Sequence, residues 1–279
     1  MQENGLKRKL TVFKSGECGR IKLKEGEKML PAERLRLIKQ LLTKKEELTT
    51  NEVALKLAVS KDTVRRDFDH LAQTGQALRI HGGLMTLGDS GVPNFKERTK
   101  ILSPLKHEMA KLAAKFVSHD GLYYFDTSTT LVQLAKLIDF KGTTIVTNSL
   151  DNALALTNSR LMRVELLGGT LNKHNRFTSS MTSLGELANY QFDVAFIGTS
   201  RLSPAGIFVV DQDDSYLPRQ AIKQARKVVV VAEQYKFHTD RSSFKVCDLN
   251  EIDVLITDEQ LTKTQRKWFR SDTQILYAK

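Results

Sequence analysis

Apolar positions along this chain recur with two different periods, and the change from one to the other divides it. Between residues 32 and 43, Leu35, Ile38 and Leu42 fall on one stripe at helical spacing and predict a helix. Thr49 to Ala58 reads as a second short helix, capped by Thr49 or Thr50, with Val53 and Leu57 inward. From Val59 to Leu71 the stripe is Val64, Phe68 and Leu71, at i, i+4 and i+7. Lys61, Asp62, Arg65, Arg66 and Asp69 take the opposite face, Ser60 stands at the N-cap, and Gly75 follows where a left-handed C′ residue belongs. Only Val59 and Ser60 separate the two helices. A junction that tight makes them cross steeply, as a helix-turn-helix does. Arg79-Ile80-His81-Gly82-Gly83 then reads as a hairpin tip, a basic wing.

Beyond Thr86 the periodicity fades through Gly88, Asp89, Ser90, Gly91 and Pro93, which marks a linker. Met109, Leu112 and Phe116 open a new helix between 105 and 116. From there short apolar runs alternate with helical patterns, the signature of strand-helix units and a mainly parallel sheet. The expected strands are residues 122–125, 144–146, 163–167, 194–197, 227–232 and 254–256, with 274–277 as an edge. Helices are expected through Leu131, Leu134 and Leu137 and through Ala153 and Leu156, and Trp268 and Phe269 should pack a final one.

Composition changes this picture little. A chain of 279 residues suits two domains, and 41% hydrophobic with 27% charged residues is ordinary for a water-soluble protein. No apolar run reaches the length of a membrane span and no apolar leader opens the chain, so no membrane partner and a cytoplasmic location are expected. Cys18 and Cys247 lie far apart without ligand spacing, and His70, His81, His107, His119, His174 and His238 show no metal pattern; neither a metal nor a cofactor is expected. The net charge of +11 fits a polyanionic partner. Yet between 29 and 89 ten basic residues face eight acidic ones, so a nucleic-acid role rests on which face the arginines occupy. Residues 1–28 are basic and lack an apolar period. They read either as a DNA-tracking arm or, more simply, as a non-native extension: Lys24-Glu25-Gly26-Glu27-Lys28 before Met29 looks like a translated purine-rich ribosome-binding site.

In a helix-turn-helix the second helix puts its N-terminal residues into the major groove. Here these are Ser60, Lys61, Asp62, Thr63, Arg65 and Arg66, with Arg79, His81 and Gly82 on the wing. Hydroxyls suit phosphates or bases, and guanidinium forks suit the guanine edge. A merely solvated basic face is the simpler alternative for an isolated Arg-Arg pair. In the second domain, hydroxyl, amide and glycine residues cluster where strands end. Ligands of open sheets bind at those carboxyl ends, and free helix amides there attract phosphate. Asp126-Thr127-Ser128-Thr129-Thr130 offers a carboxylate for sugar hydroxyls, then hydroxyls and amides for phosphate. Each such loop, taken alone, is equally well explained as helix capping.

The segments Arg34-Leu35-Arg36-Leu37-Ile38, Glu52-Val53-Ala54, Ser60-Lys61-Asp62-Thr63-Val64-Arg65-Arg66-Asp67 and Arg79-Ile80-His81-Gly82-Gly83 together resemble the winged helix of DeoR-type bacterial repressors, and the resemblance runs from about Met29 to the C-terminus. It implies an effector domain similar to ribose-5-phosphate isomerase that senses phosphorylated sugars. Family positions are matched at Asp126 with Thr129-Thr130, at Thr147-Asn148-Ser149, at Leu166-Leu167-Gly168-Gly169, at residues 193–198 and at Lys236-Phe237. The sequence departs where Ser128 replaces the family's glycine, and where Asp214 and Pro218 replace a Glu with a Lys four residues on; the neighbouring Arg219 is expected to substitute for the missing cation.

The expected architecture is therefore α/β: a winged helix-turn-helix over 29–87, a linker over 88–104, and a Rossmann-like, mainly parallel effector domain over 105–279. The expected function is a transcriptional regulator, a repressor of a carbohydrate operon, bound to a double-stranded DNA operator as a homo-oligomer (dimer or tetramer) and released by a phosphorylated sugar. The expected effector set is Asp126, Thr127, Ser128, Thr129, Thr130, Asn148, Ser149, Gly168, Gly169, Asp214, Arg219 and Lys236. The alternative is a sugar-phosphate isomerase-like enzyme, with Asp126, Asp213 or Asp214 as base and Lys236 as cation; a fused winged helix gives such an enzyme nothing.

Overall fold

The computed structural model describes residues 29–73, 76–80, 82–86, 98, 103–238 and 242–278. The N-terminal extension, Gly75, His81 and most of the linker lie outside the described residues.

The first unit runs α1 (Pro31–Lys44), β1 (Glu47–Thr49), α2 (Thr50–Leu57), α3 (Lys61–Gln73), β2 (Leu78–Ile80) and β3 (Gly83–Met85). Pro31 opens α1, where its missing N–H costs nothing. Thr49 is the cap of α2, taking the Glu52 amide at 3.1 Å. Thr50 instead donates its hydroxyl to the Gly82 carbonyl at 3.0 Å, tying α2 to the wing tip. The turn between α2 and α3 begins at Ala58, held left-handed at φ 51° with its N–H on the Ala54 carbonyl. Ser60 caps α3 through the Thr63 amide at 3.2 Å. Val64, Phe68 and Leu71 are fully or almost fully buried, with Ile38, Leu48, Val53, Leu57 and Leu84 around them. Each such side chain stabilises the unit by about 1.5–3 kcal/mol. Strand β1, which the sequence did not announce, joins the wing hairpin in the antiparallel order β1-β3-β2.

The second unit continues with α4 (Ser103–Ala114), β4 (Leu122–Phe125), α5 (Thr129–Leu137), β5 (Thr144–Thr147), α6 (Leu150–Leu156) and β6 (Arg163–Leu166). Next come β7 (Thr170–Asn172), β8 (Phe177–Ser179), α7 (Met181–Leu187), β9 (Val194–Ile197), β10 (Arg201–Ser203), β11 (Gly206–Val209) and α8 (Asp213–Lys223). The chain closes with β12 (Val228–Val231), β13 (Phe244–Cys247), β14 (Val254–Thr257), α9 (Lys263–Arg266) and β15 (Gln274–Tyr277). Seven strands form one parallel sheet in the order β15-β14-β12-β9-β4-β5-β6, with an apolar core on each face. Its inner strands are apolar on both sides because helices cover both. The hairpin β7-β8 and the small antiparallel sheet β10-β11-β13 are additions.

The chain moves outward from β4 to β5 and β6, then returns to the other side of β4 to build β9, β12, β14 and β15. Strand order therefore reverses between β4 and β9. The loops leaving those two strands open a crevice at that point.

Candidate functional site

Helix α3 presents Ser60, Lys61, Asp62, Arg65 and Arg66 to solvent, with Thr63 half-buried. Arg65 pairs with Asp62 at 2.8 Å, but their side chains keep 58% and 73% of their surface. An exposed pair of this kind is worth little and gives way readily to a phosphate or base. Asp67 belongs to the other side of the helix. It receives both Nε and an Nη of Arg34, at 2.6 and 2.8 Å, and fastens α3 to α1.

Arg79 departs from the expectation of a DNA-facing wing residue. Its guanidinium folds back onto Asp69 at 2.8 Å, donates to the Gly83 carbonyl and lies 5.4 Å from the centre of the Phe68 ring. It braces the wing against α3. Gly82 is exposed at the tip with φ +74°, a conformation an L side chain resists.

The crevice between β4 and β9 is lined by Arg98, Asp126, Thr127, Ser128, Thr129, Gly198, Thr199, Ser200, Asp214, Tyr235 and Lys236. Asp126 continues β4 and takes the Gly198 amide on Oδ2 at 3.0 Å. Its other oxygen, Oδ1, is buried without a hydrogen-bond partner, as are Thr130 Oγ1 and Asn152 Oδ1. Orphaned buried oxygens of this sort call for a ligand or an ordered water. A Cβ at Gly198 would stand 2.8 Å from the Cβ of Ser128, so the two loops approach as closely as glycine allows. Asp214, at the start of α8, accepts from the Thr127 hydroxyl at 2.9 Å.

Burial pushes both Asp126 and Asp214 above the usual carboxylate range, and the neighbouring Asp214 carboxylate raises Asp126 further. Behind them lies a buried cationic cluster that the sequence did not reveal. Lys106 reaches Thr129 Oγ1 at 3.0 Å and Glu233 at 3.5 Å, and Lys236 reaches the same Glu233 at 2.5 Å. Burial lowers Lys106 to about 8. Burial works against the Glu233 carboxylate too, but Lys236 and Lys106 outweigh it and hold it low, near 2. Two lysines and Arg98 thus surround the firmly ionised Glu233, Asp214 raised only to about 6, and Asp126 raised to about 8 and so largely protonated at neutral pH. The excess is positive, which suits an anion. As it stands the cavity encloses only about 10 Å³, room for one water.

Six of the expected effector residues, Asp126, Thr127, Ser128, Thr129, Asp214 and Lys236, meet in this crevice, and Thr130 lies beside it with its unpartnered hydroxyl. The others do not, for identifiable reasons. Asn148 is consumed inside the fold, donating to the Thr178 carbonyl at 3.0 Å and accepting from Tyr124. Ser149 caps α6 through the Asn152 amide. Gly168 offers its carbonyl to Ser183, and Gly169 takes φ +136° in a turn where a Cβ would meet the Ser179 carbonyl at 2.2 Å. Arg219 is not the substitute cation: its Nε bonds the Lys245 carbonyl at 2.7 Å and pins α8 to β13. Lys106 escaped notice because it sits alone in sequence, 23 residues before the Thr129 it bonds, and Glu233 because nothing in the sequence marks the residue three before Lys236 as its ion-pair partner. Gly198-Thr199-Ser200 carried a visible strand-end signal and belongs to the site.

The family model for a DeoR-like helix-turn-helix domain matches residues 34–88, and that for the DeoR C-terminal sensor domain matches residues 103–259. The chain is 33% identical over 232 residues to the HTH-type transcriptional repressor GlcR of Bacillus subtilis, covering 82% of this chain and 89% of that protein. It is 31% identical over 246 residues to the HTH-type transcriptional regulator GlpR of Haloferax volcanii, covering 87% and 96%. Among solved structures, the full-length sorbitol operon regulator SorC of Klebsiella pneumoniae aligns over 81% of this chain and 95% of that one, at 12% identity and a TM-score of 0.38, too loose a match to argue from.

Proposed function

This chain belongs to the DeoR family of helix-turn-helix transcriptional regulators, and from that premise we propose that it represses a carbohydrate-metabolism operon and is released by a phosphorylated sugar bound at the β4–β9 crevice. The isomerase alternative is set aside, because the relatives that span most of the chain are regulators. The proposed place of action is the cytoplasm, on a double-stranded operator. No helix among the described residues is long and apolar enough to cross a membrane.

In this proposal Lys61, Arg65 and Arg66 meet the DNA, with Ser60 and Thr63 as hydroxyl contacts near the helix N-terminus. The single observation that carries the ligand reading is the unpartnered Oδ1 of Asp126, buried at the switch point beside an excess of cations. A carboxyl there suits a sugar hydroxyl, and Lys106, Lys236 and Arg98 suit a phosphate. A route to the DNA domain supports the regulatory half. Lys236 belongs to a 3-10 turn, Gln234–Phe237, whose Tyr235 lines the crevice and packs against Leu78, Ile80 and Met85 on the wing hairpin. A ligand larger than a water must part these loops and disturb that seat. The ligand acts only through its difference in affinity between the two arrangements, so a hundredfold loss of operator affinity needs about 2.7 kcal/mol of such preference.

The test is thermal unfolding of the full chain against a panel of sugars offered with and without the phosphate. Stabilisation by a phosphorylated member, absent for its free sugar and lost in Asp126→Asn, supports the reading. A panel without any such difference contradicts it.

A further inference from the structure

Strand β6 ends the seven-stranded sheet, with β5 on one side and no described strand on the other. The Arg163 amide donates to the Thr143 carbonyl at 2.9 Å and the Leu167 amide to the Thr147 carbonyl at 2.8 Å, so the odd-numbered residues spend their backbone groups on β5. The backbone groups of Val164 and Leu166 therefore point outward. The hairpin β7-β8 does not cover them. It returns over the end of β5, where the Thr178 amide meets the Asn148 carbonyl at 3.0 Å. Leu166 keeps 46% of its surface and the Arg163 side chain 75%.

We propose that this edge pairs with the same strand of a second copy, antiparallel about a two-fold axis through Val164. The strand Met162-Arg163-Val164-Glu165-Leu166 is complementary to itself in that register. Val164 faces Val164 of the second copy as a doubly hydrogen-bonded pair, which its outward N–H and carbonyl permit. Arg163 then lies opposite Glu165 on one face, twice, and Met162, just before the strand, lies opposite Leu166 on the other, twice, where its amide must leave the Ser159 hydroxyl that holds it at 3.1 Å. The two neighbouring registers fail. An axis through Arg163 sets arginine against arginine, and one through Glu165 sets glutamate against glutamate. Charges on an exposed edge repel most strands that approach it, and these admit one partner in one register. Within one copy Arg163 and Glu165 already meet at 2.9 Å on the same face, and the Tyr190 hydroxyl donates to the other Glu165 oxygen, so dimerisation exchanges the arginine pair for two between copies while Tyr190 keeps its bond. The contact is isologous and closes as a dimer. It follows from the strand alone and holds whatever metabolite the crevice takes.

Sedimentation equilibrium of the full chain tests it. Arg163→Glu and Glu165→Arg should each raise the dissociation constant at least about tenfold, because each sets like charges opposite one another at two places. An equimolar mixture of the two variants should recover the wild-type mass, since every cross-strand pair is then of opposite sign, and the double variant R163E/E165R should dimerise by itself. A wild-type chain that is monomeric, single variants that keep the wild-type mass, or a mixture of variants with wild-type circular dichroism that stays dissociated would each overturn the proposal.

Discussion

Replacing Asp67 by alanine should unfold the winged unit selectively. Asp67 keeps only 5% of its surface, and its carboxylate is the double acceptor for Arg34, whose side chain is 12% exposed and whose remaining Nη reaches the Met29 carbonyl at 3.1 Å. Removing one partner from a pair this secluded leaves a guanidinium without its counter-charge, at a cost of about 3 kcal/mol. A unit of some 55 residues has roughly 3–8 kcal/mol of stability in all. The loss is therefore at least about a third of the unit's stability. The assay uses the position of the single tryptophan. Trp268 stacks on Phe237 in the effector domain, so its fluorescence follows that domain, whereas helical circular dichroism follows both. Asp67→Ala should bring an early dichroism transition to much lower denaturant and leave the fluorescence transition where it was. Arg34→Met with Asp67→Leu, which removes both charges, should recover most of the loss. An unshifted dichroism transition in Asp67→Ala would refute the view that this acidic residue is a fastener.

Arg66→Ala makes a useful contrast: operator affinity should fall by about 1–3 kcal/mol with unfolding unchanged, and equal affinity in gel shifts at moderate salt would count against α3 as the reader. Ala58→Gly should stabilise the winged unit by about 0.5–1 kcal/mol, because it relieves a left-handed Cβ and gives back part of the gain in chain entropy; a lower melting temperature would contradict the turn geometry. Asp126 is raised in the fold relative to the unfolded chain, so folding binds its proton and stability falls as pH climbs from the ordinary carboxylate range to about 8. Asp126→Asn should flatten that fall in the fluorescence transition, and an identical pH profile in the two proteins would show that the carboxyl is not secluded.

Much of the fold was readable because its signals are local. The stripe Val64, Phe68 and Leu71 lies within two helical turns, and the strand Val228–Val231 is apolar throughout, as a doubly covered strand must be. Strand β1 was not readable: Glu47-Leu48-Thr49 has one buried residue, and only pairing with Gly83–Met85 makes it a strand. The strand-end loop at Asp126 announced itself through its run of hydroxyls. Which hydroxyls remain for a ligand was hidden, since Ser149 and Ser128 are spent as caps and Thr127 on Asp214. Arg79 and Arg219 show the same limit from the side of charge. Both are basic where an anionic partner was expected, and both are folded onto neighbours 10 and 26 residues away.

Fluorescence anisotropy of a labelled operator fragment, titrated with the wild-type chain and with Tyr235→Ala, tests the link between crevice and wing most directly. With the phosphorylated sugar that stabilises the wild type, wild-type affinity for the fragment should fall, while Tyr235→Ala should bind the same sugar and release the DNA less. A wild-type chain that binds both sugar and operator, with neither altering the affinity for the other, would contradict the account.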